Sequence, residues 1–191
     1  MGGLIERHGP LSLAGRRRGP KPDPFAALVS IIVAQQLSSK AAKTIDGRIE
    51  AAFDGRFPTP AQATRATRKL REAGLSGRKV EYVQEIARLV KRGELDLEAL
   101  GALPNDDVIA QLSAVRGLGR WSAEMYLISY LERPDVLSGG DLGIRRGLQV
   151  ALGLSEMPSA EEVVEIGECW QPHRTLASFY LWREANTAPP R

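Results

Sequence analysis

Apolar residues in this chain recur with the period of an α-helix and almost never with that of a strand. Phe25, Leu28, Val29, Ile32 and Val33 fall at the i, i+3, i+4, i+7, i+8 spacing that makes one broad apolar stripe. Val80, Val83, Ile86, Ala87 and Val90 repeat it. Cap and turn residues then predict helices from Ser38 or Ser39 to Phe53, from Gly77 to Val90, and onward from Pro104-Asn105-Asp106. Further helices are expected from Arg120 to Tyr130, Asp141 to Leu152, Ser159 to Trp170, and Pro172 to about Asn186. The expected fold class is all-α, with about ten short helices and no repeat period that would make a solenoid. Phe57-Pro58-Thr59-Pro60 and Ser138-Gly139-Gly140 supply turns where the apolar pattern lapses. The Gly-, Pro- and Arg-rich start, with Arg16-Arg17-Arg18 before Gly19-Pro20-Lys21-Pro22, predicts an extended lead-in over residues 1–24 that packs on the core. A single helical domain over residues 25–191 follows.

The 191 residues are 43% hydrophobic and 26% charged, enough for a compact core and unlike a disordered chain. One cysteine, Cys169, excludes an internal disulfide, an iron–sulfur cluster and a cysteine zinc site. His8 and His173, far apart, argue against a histidine metal centre. The longest apolar stretch, Phe25 to Ala34, is broken by Ser30 and falls short of the ~20 residues that span a membrane. The start lacks a basic region followed by an apolar run. A soluble cytoplasmic protein without a membrane partner is expected, nucleoid-associated if bacterial. The net charge of +3 tilts it mildly toward acidic partners such as nucleic acid.

The most informative segment is Leu112 to Ile128, LSAVRGLGRWSAEMYLI, where two helices join through Arg116-Gly117-Leu118-Gly119. Glycines spaced by one residue let the backbone bend with positive φ and bare its N–H groups. A helix beginning near Arg120 adds unsatisfied N–H donors at the positive end of its dipole, so a phosphate can be held without reading any base. Taken alone, the glycines also suit a plain αα-corner that needs close packing.

The segment resembles the helix-hairpin-helix element of a DNA repair glycosylase superfamily, written L-P-G-[IV]-G-x-x-[ST]-A. Gly117, Leu118, Gly119, Ser122 and Ala123 match it, and Arg116 stands where proline is usual, electrostatically compatible with a phosphate-facing turn. The hairpin then covers about residues 107–130. The resemblance implies phosphate binding by Arg116, Gly117, Leu118, Gly119 and Arg120. It also implies a structural monovalent cation, Na or K, on the backbone carbonyls of Ser113, Val115 and Leu118, with no cofactor required.

Asp141 follows Ser138-Gly139-Gly140 and precedes the amphipathic run Leu142, Ile144, Leu148. Such an aspartate caps a helix, worth about 1 kcal/mol, and the same placement suits an anion aimed into a cleft. DVLSGGDLGIRRGLQ, residues 135–149, resembles the Gly/Pro-rich loop with an aspartate that completes the glycosylase signature, and Asp141 falls on its catalytic position. Bifunctional members carry a nucleophilic lysine near the start of the second hairpin helix. Trp121 occupies that place here, and an indole cannot form a Schiff base. The implied reaction is therefore monofunctional hydrolysis of the N-glycosidic bond by water, leaving an abasic site. Asp141 would stabilise the oxocarbenium-like sugar.

GRWSAEM and WQPHRTLASFYLW are similar to parts of the 3-methyladenine DNA glycosylase II, or alkylation-repair, branch. That resemblance implies a base pocket with Trp121 and Trp182, and with Met125 where some members have tyrosine. A cationic alkylated purine stacked on indole would gain roughly 0.5–2 kcal/mol. Trp170 and Phe179 are expected in the core instead, and His173 at a helix start.

A base must leave the stack to reach such a pocket. Gln35-Gln36-Leu37-Ser38 ends the first apolar helix, and IIVAQQLSSKAA is similar to the branch's I-x-x-Q-Q-[LV]-S-x-x-A-A segment. Leu37 would intercalate while Gln36 touches the opposite strand. The plain alternative makes Leu37 the last core residue. Arg145 and Arg146 are candidates for the DNA backbone, whereas Arg65, Arg68, Lys69, Arg71, Arg78 and Lys79 suit a solvated surface. The resemblance implies a two-lobed helical fold with the cleft between lobes, lacking the N-terminal β-domain of longer members. It implies a monomer acting on double-stranded DNA that contains damaged bases. A non-catalytic DNA-structure binder and a glycosylase for oxidised or mismatched bases remain the alternatives.

Overall fold

The computed structural model describes residues 1–13 and 21–187; the Arg16-Arg17-Arg18 run of the lead-in lies outside the described residues. Among those described there are eleven α-helices, two 3-10 turns and no strand. They form two compact units, residues Lys21–Tyr126 and the described residues of Met1–Pro20 with Leu127–Arg191.

In the 21–126 unit, Asp23 accepts from the N–H groups of Phe25 and Ala26 and starts α2 (Pro24–Ala34), with proline at its first position. Phe25, Leu28, Val29, Ile32 and Val33 are all buried, as their spacing requires, and so is Ile31. Ser38 caps α3 (Ser39–Ala52) by accepting from Ala41 N. Two short helices were not expected: α4 (Pro60–Ala63), held by a Thr59–Gln62 capping box, and α5 (Thr67–Glu72). Each is too short to display a period. In α6 (Gly77–Arg92), Ser76 caps the start and Gly93 ends it in the left-handed conformation. Val80, Val83, Ile86 and Ala87 face inward, and Val90 is half-buried. The unit closes with α7 (Asn105–Ser113), after a 3-10 turn over Ala99–Ala102, and with the first part of α8 (Arg120–Ser129).

The other unit overturns one expectation. The start of the lead-in is not extended: Gly2–His8 form α1. Its weak helix formers are overridden by tertiary contacts. Leu4 is buried with Leu137, Ile144, Leu148, Val163, Tyr180 and Leu181. Arg7 and His8 reach Glu184 at 3.0 and 2.6 Å, and the Tyr180 hydroxyl donates to the Gly9 carbonyl and accepts from Leu11 N. The remaining helices are α9 (Leu142–Leu152), α10 (Ala160–Gly167) and α11 (Arg174–Ala185). Ser159 and Glu162 form a capping box on α10, which continues as a 3-10 turn to Trp170. At Gly147, α9 and α11 approach so closely that a Cβ would lie 2.0 Å from the Leu181 carbonyl oxygen. Among the described residues, no helix is long and apolar enough to cross a membrane.

Candidate nucleic-acid and catalytic site

The hairpin turn between α7 and α8 is pinned from beneath. Val115 and Leu118 are buried, and Leu118 N donates to the Val115 carbonyl at 3.0 Å. The Leu118 side chain therefore faces the core, and only its main chain can serve a ligand. Gly117 has φ +95°, and a Cβ there would sit 2.2 Å from the Tyr82 ring, so conformation and space both demand glycine. Exposed Arg116 pairs with Glu81 at 3.2 Å, and Arg120 donates from Nε to the buried Glu124 at 2.8 Å. Trp121 and Met125, one turn apart on α8, are both half-buried.

The turn after α2 presents Leu37 at 41% exposure, which removes the reading of Leu37 as a last core residue; the buried stripe ends at Val33. Gln36 adopts φ +58°. The Lys79 ammonium donates to the carbonyls of Val33 (2.7 Å) and Gln35 (2.8 Å) where α2 ends, and burial pushes its pKa down. The Gln35 amide donates to the Gly117 carbonyl (2.8 Å) and the Ser122 hydroxyl (3.0 Å). Lys79, expected to be solvated surface, is thus a cap on a neighbouring helix. Gln35, Lys79 and Tyr82 escape sequence reasoning because their partners lie 35 to 87 residues away. No local pattern encodes such pairings.

In the terminal unit, Asp141 caps α9 and is 9% exposed. Its Oδ1 accepts from Ile144 N and from the Trp182 indole Nε1, each at 2.8 Å. Asp141 and Trp182, singled out separately in the sequence, are brought together. Gly143 makes room for them: a Cβ there would lie 2.8 Å from Trp182 Cδ1 and 3.1 Å from Asp141 Oδ1. Trp182 packs against Phe179 with ring centroids 5.2 Å apart. Both help line a cleft of about 350 Å³ with Leu11, Ser12, Leu176 and Arg183, so Phe179 is half-buried at a cleft and not simply core. Trp170 does pack on the core cluster.

Glu184, two residues beyond Trp182 on α11, is pushed up by burial, but hydrogen bonds from His8 and Arg7 outweigh this and hold its carboxyl below the usual value. Arg145 donates from Nε to the Pro158 carbonyl (2.7 Å) and Arg146 to Gln149 (2.7 Å), so each expected phosphate ligand already has a protein partner. His173 is exposed at the N-cap of α11, as a helix-start residue would be.

Residues 29–172 match the family described as HhH-GPD superfamily base excision DNA repair protein. The chain belongs to that family. This HhH-GPD protein is 34% identical over 171 residues to DNA-3-methyladenine glycosylase 1 of Schizosaccharomyces pombe, covering 88% of the chain and 75% of that relative. Its structure matches that of S. pombe 3-methyladenine DNA glycosylase (Mag1) in complex with abasic DNA, with a TM-score of 0.88 and 33% identity over 95% of this chain and 89% of that one. It also matches a DNA-3-methyladenine glycosidase from Bacillus halodurans, with a TM-score of 0.77 and 40% identity over 97% and 83% of the two chains. The all-α fold and the alkylation-repair kinship read from the motifs agree with these matches.

Proposed function

We propose that this HhH-GPD protein is a monofunctional DNA glycosylase that removes alkylated purines, as the names of its relatives suggest. The observation that carries the reading is a carboxylate, Asp141, held at the head of α9 by two N–H donors beside an aromatic cleft. The hairpin main chain at Gly117, Leu118 and Gly119 grips a phosphate, aided by Arg116 and Arg120; in the other unit Arg145 would have to give up the Pro158 carbonyl to meet the backbone. Leu37 fills the gap left by the extruded nucleotide, and Gln36 contacts the opposite strand.

As the C1′–N bond breaks, the base departs with the bonding electron pair and the sugar becomes electron-poor. The Asp141 anion stabilises it. A water oxygen, oriented by Asp141, then bonds to C1′ and passes its proton to the Asp141 carboxylate, which releases it to solvent. A cationic alkylated purine leaves as a neutral base, which makes it the easier substrate. Trp182 presents its ring to the cleft while its N–H fixes Asp141, and Trp121 and Met125 are proposed as base-stacking side chains of the hairpin unit. Trp121 in place of a lysine supports hydrolysis without strand cleavage.

The same proposal includes a monovalent cation on the carbonyls of Ser113, Val115 and Leu118. An uncharged, oxygen-only donor set suits Na or K and not a transition metal. The Val115 oxygen accepts one hydrogen bond from Leu118 N, which leaves a second lone pair for an ion. Bound there, it would add positive charge to a phosphate-facing turn.

The test is incubation with methylated duplex DNA under single-turnover conditions, followed by alkali. The reading expects breaks after alkali and none before it. Tight binding with no breaks in either case would favour a non-catalytic DNA-structure binder.

A further inference from the structure

Gln35 has no part in the chemistry above, yet it is the most heavily anchored residue of the turn that carries Leu37. Its side-chain amide uses both hydrogens, one on the Gly117 carbonyl in the hairpin turn and one on the Ser122 hydroxyl in the first turns of α8. Ser122 is buried, so this second bond is shielded from water. The Gln35 carbonyl meanwhile accepts from Lys79 of α6. The next residue, Gln36, holds φ +58°, a conformation that non-glycine residues keep only where the surroundings over-determine it. Tyr82 of α6, against Gly117, braces the hairpin from the same helix that supplies Lys79. The wedge turn and the hairpin are therefore cross-linked directly through Gln35 and indirectly through α6, all inside the 21–126 unit.

We infer that Gln35 is a positioning residue that fixes the register between the phosphate grip of the hairpin and the wedge at Leu37. The inference rests on the reading of those two elements as DNA contacts. Extruding a paired base needs the strand held at one point and pushed at another a set distance away. A wedge on a turn loosened from the grip would push without effect. Gln35's hydrogen bonds lie in one unit and Asp141 with Trp182 in the other, so the cleavage step itself does not depend on this link.

The experiment compares wild type with Gln35→Met, which keeps the length of the side chain but donates nothing, and with Ser122→Ala, which deletes one acceptor only. Single-turnover excision of 3-methyladenine-type lesions is measured in a fully paired duplex and in the same duplex with the lesion unpaired in a bulge. Unstacking of 2-aminopurine is followed by fluorescence, and thermal melting is recorded. In Gln35→Met the paired-duplex rate should fall roughly 10- to 100-fold while the bulge rate stays within about 3-fold of wild type, with a smaller split in Ser122→Ala. The 2-aminopurine signal should fall in parallel. An equal loss on both substrates, or a paired-duplex rate within about 2-fold of wild type, would overturn the inference. Absence of excision by the wild type would instead overturn the glycosylase reading, and the 2-aminopurine signal would then decide the inference: unchanged by Gln35→Met, or absent from wild type, it is wrong. Should Gln35→Met fail to fold, Ser122→Ala alone decides by the same split.

Discussion

The turn that carries Leu37 and the loop that carries Asp141 each end on a helix cap, yet they are built in opposite ways. Before α3, Leu37, the proposed wedge, precedes the cap Ser38 and stands out in solvent, and the turn is held by Lys79 on two carbonyls and by Gln35 on the hairpin. Before α9, the cap is itself the proposed catalytic residue, Asp141; it is buried, and donors are aimed at its side chain. An apolar group that must enter DNA needs a stiff mount and no partner of its own. A carboxylate that must stay charged in a cleft needs partners and little freedom. Adjacent positions in two similar connections thus suit the mechanical role proposed for Leu37 and the electrostatic role proposed for Asp141.

The contrast can be broken first from behind α9. Gly147→Val forces a side chain against the Leu181 backbone and should cost about 3 kcal/mol in urea unfolding; a loss below about 1 kcal/mol would mean that the α9–α11 contact does not constrain the Asp141 end. Next in size, Trp182→Phe keeps an aromatic ring but removes a hydrogen bond to a charged group, worth roughly 1.5–3 kcal/mol. Excision should slow about tenfold or more, with DNA affinity little changed; an unaltered rate would show that Trp182 is not needed to position Asp141. On the other side, Leu37→Ala should leave the melting temperature unchanged and slow excision about tenfold from paired duplex only. Equal slowing on unpaired lesions would remove the wedge from the account.

The smallest effect lies behind the wedge turn, where Asp46 of α3 accepts from the Ser30 hydroxyl of α2 at 2.7 Å and its Oδ1 is buried without a partner among the described residues. Burial pushes its pKa up, the Ser30 hydrogen bond pulls it back and Glu50 adds to the rise, with a net upward direction. A raised native pKa favours folding below the ordinary value of 3.8, and that advantage is lost as pH rises through the native value. Asp46→Asn should therefore be more stable than wild type at pH 7, by about 0.5 kcal/mol for a half-exposed group. The gain should vanish below pH 3.8. A gain that persists in acid would point to a cause other than charge.

Much of this was legible in the sequence because it is local. The stripe from Phe25 to Val33, the caps at Ser38 and Ser159 and the cap at Asp141 all follow from residues within one or two turns. The glycine hairpin was legible because its motif is contiguous. Helix α1 was not, since Gly2 and Gly3 argue against a helix and its support comes from Glu184 and Tyr180, more than 160 residues away. Lys79 read as surface for the same reason, and Arg145 read as a free cation because nothing nearby in sequence announces the Pro158 carbonyl as its partner.

If the Asp141 carboxylate acts on the sugar and the hairpin main chain holds the DNA, excision and DNA affinity separate on loss of the charge. Single-turnover excision and DNA affinity of Asp141→Asn, measured side by side on one lesion-bearing duplex, test it most directly. Asparagine keeps an oxygen for Ile144 N and Trp182 but carries no charge. Excision should fall by at least about a hundredfold with affinity within a few-fold of wild type, whereas a variant that excises at the wild-type rate would contradict the account.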